Sequence, residues 1–171
     1  FEDKSAHSMD WYYPVLGGAV RGRAAFELLE TRWDDFVVPG LGILCVDTNP
    51  WVTGAETCEL AMALDTIGDH RRALALLQDM QHLREDDGRY WTGWVYGDEA
   101  EAGEPRNVYW PVEHTTYTAA AVILAVDALG EVAGHSTAGS GIMRGTSLAS
   151  HFTELGLECG CPSADGVPSL P

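Results

Sequence analysis

The sequence predicts an all-α fold of helical hairpins, an incomplete α/α toroid with long aromatic-rich loops at one end. Three observations lead there. Apolar residues recur at helical spacing in one segment after another. The stretch Ala63-Leu64-Asp65-Thr66-Ile67-Gly68-Asp69 returns in kind as Ala125-Val126-Asp127-Ala128-Leu129-Gly130-Glu131. Each copy ends an apolar helix and turns into the next element, which is the order of inner helix, tight turn, outer helix and return loop. Finally, the loop over residues 84–112 is long and carries six large aromatics, and loops of that length inside a domain are often functional.

Along the chain, Trp11, Val15, Ala19 and Val20 suit a first helix. Residues 23–33 (RAAFELLETRW) form a second, strongly amphipathic one. Gly17, Gly18 and Gly22 mark the turn or close packing between them. Residues 37–51, rich in Gly and Pro, read as a loop with room for a short strand. Residues 53–67 form a helix that opens on a capping box, Thr53 with Glu56, and closes at Gly68. Asp69 caps the next helix, which runs to about residue 83. After the long loop, residues 114–129 form a helix apolar nearly all round, closed by Gly130. From residue 133 the composition turns to Gly, Ser, Ala and Pro, with one short helix expected over 146–155 and an irregular end over 159–171. The division is a partial toroid domain over 1–133 and a Gly/Ser/Pro-rich tail over 134–171.

Only about three inner helices fit in 171 residues, and a closed ring of six hairpins needs roughly twice that length. A lone half exposes faces that the other half covers, so the chain is expected to lack its N-terminal half or to self-associate. It begins at Phe1, which is consistent with a missing start.

Composition narrows the function classes. The 26 acidic against 10 basic residues give a net charge of -16. That argues against nucleic acid and against anionic membrane surfaces. No apolar run approaches the ~20 residues that span a bilayer. Cys45 and Cys58 lie in apolar surroundings and read as buried thiols, and Cys159 and Cys161 have no zinc-ribbon partners. The expected compartment is reducing and cytoplasmic.

The helix N-termini and long loops should meet at one end. That end gathers the carboxylates Asp10, Glu56 and Glu113 as catalytic candidates. Trp11, Tyr12, Trp51, Trp91, Trp94, Trp110 and Tyr117 are the candidates for substrate binding. Flat apolar walls suit sugars, which stack on rings, and equally isoprenoids, whose cationic intermediates are stabilised by π faces. The partner is therefore a small apolar or sugar-like molecule. The plainer alternative packs Trp11, Trp51 and Trp110 into hairpin mouths and gives Glu56 to the capping box alone.

Four stretches, residues 8–18 (SMDWYYPVLGG), 50–59 (PWVTGAETCE), 80–94 (MQHLREDDGRYWTGW) and 110–118 (WPVEHTTYT), resemble a group of actinobacterial proteins labelled prenyltransferases. That group is assigned to the α/α-toroid superfamily of terpenoid cyclases and protein prenyltransferases. The resemblance runs to about Gly145 and makes this chain the C-terminal half of such a protein. It implies a prenyltransferase- or cyclase-like enzyme acting on an isoprenoid. Glu56-Thr57-Cys58 and Glu113-His114 also resemble the zinc-binding segments of protein prenyltransferase β subunits. That likeness implies zinc on Glu56, Cys58 and His114, a donor set suited to a catalytic site. Against this reading, the Asp-rich cyclase motif and the Asp-Asp-x-x-Asp magnesium motif are absent. Two other classes stay open. One is a six-hairpin glycosidase using paired carboxylates such as Glu56 and Glu113. The other is a ligand-binding module without catalysis.

Overall fold

The computed structural model describes residues 4–97 and 107–130. The expected tail over 134–171, with its short helix over 146–155, lies outside them. Helices α1 (Ser8–Leu16) and α2 (Gly22–Glu30) form a first pair. A short helix, α3 (Trp33–Phe36), then leads into strands β1 (Val37–Val38) and β2 (Gly42–Leu44). Strand β3 (Trp51–Thr53) runs without a break into α4 (Gly54–Thr66). Next come α5 (His70–Asp79), a 3-10 turn over Met80–Leu83, and strands β4 (Gly93–Val95) and β5 (Val108–Tyr109). Helix α6 (Thr116–Leu129) ends the described chain.

The helices largely follow the sequence pattern. Gly68 leaves α4 in a left-handed conformation at φ +78, which only glycine adopts at little cost. Asp69 caps α5 by accepting the Arg72 backbone N–H at 3.1 Å. Helix α4 is buried along almost its whole length, and α1, α5 and α6 all pack against it. Leu60, Leu64, Tyr12, Val15, Leu29 and Phe36 fill one part of the core. Cys58, Met62, Met80, Leu83, Ala121 and Ala125 fill another.

The all-α expectation fails. The loops after α3 and after the 3-10 turn fold into a five-stranded antiparallel sheet, in the order β1-β2-β3-β4-β5. The register pairs Val37 with Ile43, Ile43 with Thr53, Val52 with Trp94, and Trp94 with Tyr109. Each strand is only two or three residues long, too short to show the period-2 alternation by which a strand is read. What stabilises them is distant pairing: β3 and β4 meet across the whole α4–α5 hairpin. The architecture is therefore paired helices with a β-meander seated at the N-terminal end of α4, rather than an all-helical toroid.

Candidate active site

The sheet fixes how α4 begins. Thr53 stands at the N-cap without a side-chain capping bond, so the expected capping box does not form. Thr57 takes over the local bonding: its hydroxyl donates to the Thr53 carbonyl at 2.6 Å and accepts the Ile43 N–H at 3.0 Å. Strand β2 comes so close to α4 here that a Cβ on Gly42 would lie 2.6 Å from Thr57 Oγ1. The Glu56 carboxyl still lies beside the Thr53 hydroxyl and its own backbone N–H, both of which favour its charged form.

Glu56 is buried, at 9% exposed. Burial pushes its carboxyl above the usual carboxylate range. The Cys45 thiol, from the loop between β2 and β3, lies 3.9 Å from Glu56 Oε1. Burial first, then the neighbouring carboxylates, push that thiol up to about 11.

One turn further along α4 stands a second carboxylate, Glu59. Positions three apart share a helix face, so Glu56 and Glu59 look the same way. Both oxygens of Glu59 are held: Tyr12 Oη donates to Oε2 at 2.6 Å and Tyr117 Oη donates to Oε1 at 2.5 Å. These bonds tie α1, α4 and α6 together at one point. Burial and the adjacent carboxylates hold Tyr12 well above the ordinary phenol range. Tyr117 is raised in the same way, and its hydroxyl neighbours that of Tyr13.

The other predicted residues scatter. Asp10 is exposed on α1 and Glu113 is exposed just before α6. Trp11 is a core residue, stacked on Phe36 at 5.5 Å with its Nε1–H donating to the Leu28 carbonyl. Tyr12 is fully buried and reaches Glu59 only with its hydroxyl. Trp51 donates to the Trp110 carbonyl at 2.8 Å, and the two rings meet edge to face at 5.0 Å. Trp91 stacks on Tyr109 at 4.9 Å and packs tilted on His114 at 4.0 Å. Trp94 meets Tyr109 edge to face at 4.9 Å. Two cavities border this loop: one of about 400 Å³ beside Arg89, His114 and Val122, and one of about 450 Å³ beside Glu85, Trp91 and Tyr109. Neither contains Glu56 or Glu59. Of the predicted set, only Glu56, Tyr12 and Tyr117 gather around one cluster.

The zinc set does not converge. Cys58 is buried against Met80, sulfur to sulfur at 3.3 Å, and burial pushes its thiol up to about 12. His114 instead packs on Trp91 with Nε2 3.3 Å from Glu85 Oε2. Among the described residues no group of three His, Cys, Asp or Glu side chains could hold a metal ion. Glu56, Cys58 and His114 sit in separate layers because α4 aims Cys58 toward α6 and the 3-10 turn, away from the Glu56 face.

Sequence reasoning missed Glu59 and the place of Cys45 beside Glu56. The signal for Glu59 was present: two glutamates three apart on a helix otherwise made of buried residues. A half-buried carboxylate favours hydrogen-bond partners, and Tyr12 and Tyr117 on other helices supply them.

No family model matches the chain. Over 165 residues, 96% of its length, it is 53% identical to the MMP endo-(1,4)-3-O-methyl-alpha-D-mannosidase of Mycolicibacterium hassiacum. The chain spans 42% of that relative's length. This likeness overturns the resemblance to prenyltransferase-labelled proteins, and with it the transferase and isoprenoid expectations. The chain's similarity is to a glycosidase and not to a prenyltransferase.

Proposed function

We propose that the protein is a glycoside hydrolase that cleaves within an α-(1,4)-linked chain of methylated mannose units, with Glu56 as the general acid. The relative's printed activity suggests the substrate. The observation that carries the reading is the state of Glu56: a carboxyl that is buried and whose pKa burial raises. A general acid must hold its proton near neutral pH and lose it to the departing glycosidic oxygen. Glycoside cleavage needs a second carboxylate, either to activate water or to attack the sugar. Glu59 is not free for that role, because both its oxygens accept tyrosine hydroxyls. Asp10 and Glu113 are the candidates within this chain, and the rest of the longer protein is the other source. We assign the reaction to the cytoplasm, where the free thiols Cys45 and Cys58 stay reduced.

The test is Glu56→Gln in the full-length protein. Hydrolysis of an α-(1,4)-linked 3-O-methylmannose oligosaccharide should fall about 10²–10⁴-fold in kcat, with the fold retained by circular dichroism. A kcat within a few-fold of wild type would rule Glu56 out as the acid. Asp10→Asn and Glu113→Gln then test those two for the second role: the serving residue shows a loss of similar size, and full activity in both removes them from it.

A further inference from the structure

Two tyrosines beside the carboxylates keep much of their surface in solvent. Tyr13 is 42% exposed and Tyr117 is 51% exposed. Neither ring is loose. Tyr117 is anchored through its hydroxyl to Glu59 Oε1 at 2.5 Å. Tyr13 stands edge-on against the buried Tyr12, with centroids 5.2 Å apart and planes at 81°. Tyr12 is tied to the other oxygen of Glu59 at 2.6 Å. One carboxylate therefore holds the whole tyrosine group from behind, and the two outer rings border the Glu56 face of α4. The loop aromatics differ: Trp91 packs on both Tyr109 and His114.

We propose that Tyr13 and Tyr117 form a rigid aromatic platform that receives the methyl-ether face of a sugar unit beside Glu56. The identity of the sugar rests on the glycosidase reading; the platform itself rests on the ring geometry. Rings fixed before binding lose little conformational freedom when a ligand arrives. A methyl ether adds apolar surface that a hydroxyl lacks, and burying one methyl group on the rings favours the methylated sugar about fourfold. Glu59 acts as a positioning residue, because its carboxylate aims the rings and does not reach the substrate.

The experiment is calorimetric titration of the full-length protein, blocked by Glu56→Gln. The probes are an α-(1,4)-linked tetrasaccharide of 3-O-methylmannose and its unmethylated counterpart. The blocked protein should prefer the methylated probe by about fourfold or more. Tyr13→Ala or Tyr117→Ala should weaken that binding about tenfold and abolish the preference. Tyr117→Phe, which keeps the ring but loses the bond to Glu59, should lose less and retain the preference. Tyr13→Leu and Tyr117→Leu serve if the alanine variants do not fold. A preference that survives in the folded tyrosine variants, or no binding of either probe, overturns the proposal. Tyrosine-dependent binding by a wild-type protein that hydrolyses nothing would sink the glycosidase reading and leave the platform standing. Hydrolysis that needs Glu56 but is indifferent to both tyrosines would sink the platform alone.

Discussion

At the scale of single residues, burial decides the chemistry. Glu56 is disfavoured in its charged form, so between the ordinary glutamate range and its raised folded value the folded chain binds more protons than the unfolded one. Stability is therefore lost as pH rises through that window. Glu56→Gln should match wild type below about pH 4, where both states are protonated, and exceed it at neutral pH. Urea denaturation from pH 3.5 to 8 reads this directly, and a constant difference across that range would contradict it. Tyr12→Phe acts on the other carboxylate. It leaves the half-buried Glu59 Oε2 without its donor, and about 1 kcal/mol of stability should be lost in the same assay. Glu56 could be chosen from sequence because it opens a helix near aromatics. Glu59 could not, because its meaning lies in Tyr12 on α1 and Tyr117 on α6, far away along the chain.

At the scale of elements, the helices were legible and the strands were not. Helices α2, α4, α5 and α6 show their apolar pattern and turns within nine to fourteen residues of sequence, and local hydrogen bonding obeys that pattern. The expected second helix stops sooner than its amphipathic run, which continues past Glu30 and breaks before α3. Thr31 turns its hydroxyl back to the Leu28 carbonyl at 2.6 Å, a local bond that competes with helix continuation. Strands β3 and β4 exist because they pair with each other, and Gly93 is where that pairing is tightest. A Cβ there would lie 2.6 Å from the Val52 carbonyl oxygen and collide with the Trp51 indole. Gly93→Ala should cost about 1–3 kcal/mol and disturb Trp51 fluorescence. A variant as stable as wild type would mean the strands separate more freely than the register implies.

At the scale of the whole molecule, charge and coverage set the terms. A net charge of -16 makes the folded chain repel itself. Salt screens such repulsion with a Debye length of about 10 Å at 0.1 M. Raising sodium chloride from 20 to 300 mM should lift Tm by about 2–4 °C, the equivalent of about 1 kcal/mol for a chain of this size. A Tm that falls would show that the ion pairs, such as Arg32 with Asp47 at 2.7 Å and Arg72 with Glu30 at 2.5 Å, outweigh the repulsion. Among the described residues no helix is long and apolar enough to cross a membrane. Helix α6 keeps Ile123 and Val126 exposed although it is apolar nearly all round, so its periodicity alone did not reveal which faces are covered.

The sequence by itself determined the helices, their turns at Gly68 and Asp69 and the burial of α4, because each depends on contacts within a few residues. It misled on the all-α class, on the zinc set and on the family, because each of those depends on which distant groups meet. Only the tertiary structure decided that β3 pairs with β4, that Cys58 and His114 face different surroundings, and that Glu59 gathers tyrosines from α1 and α6 around the proposed acid. Hydrogen bonds and burial between remote segments have no period to read, and they become visible only when the chain has closed on itself.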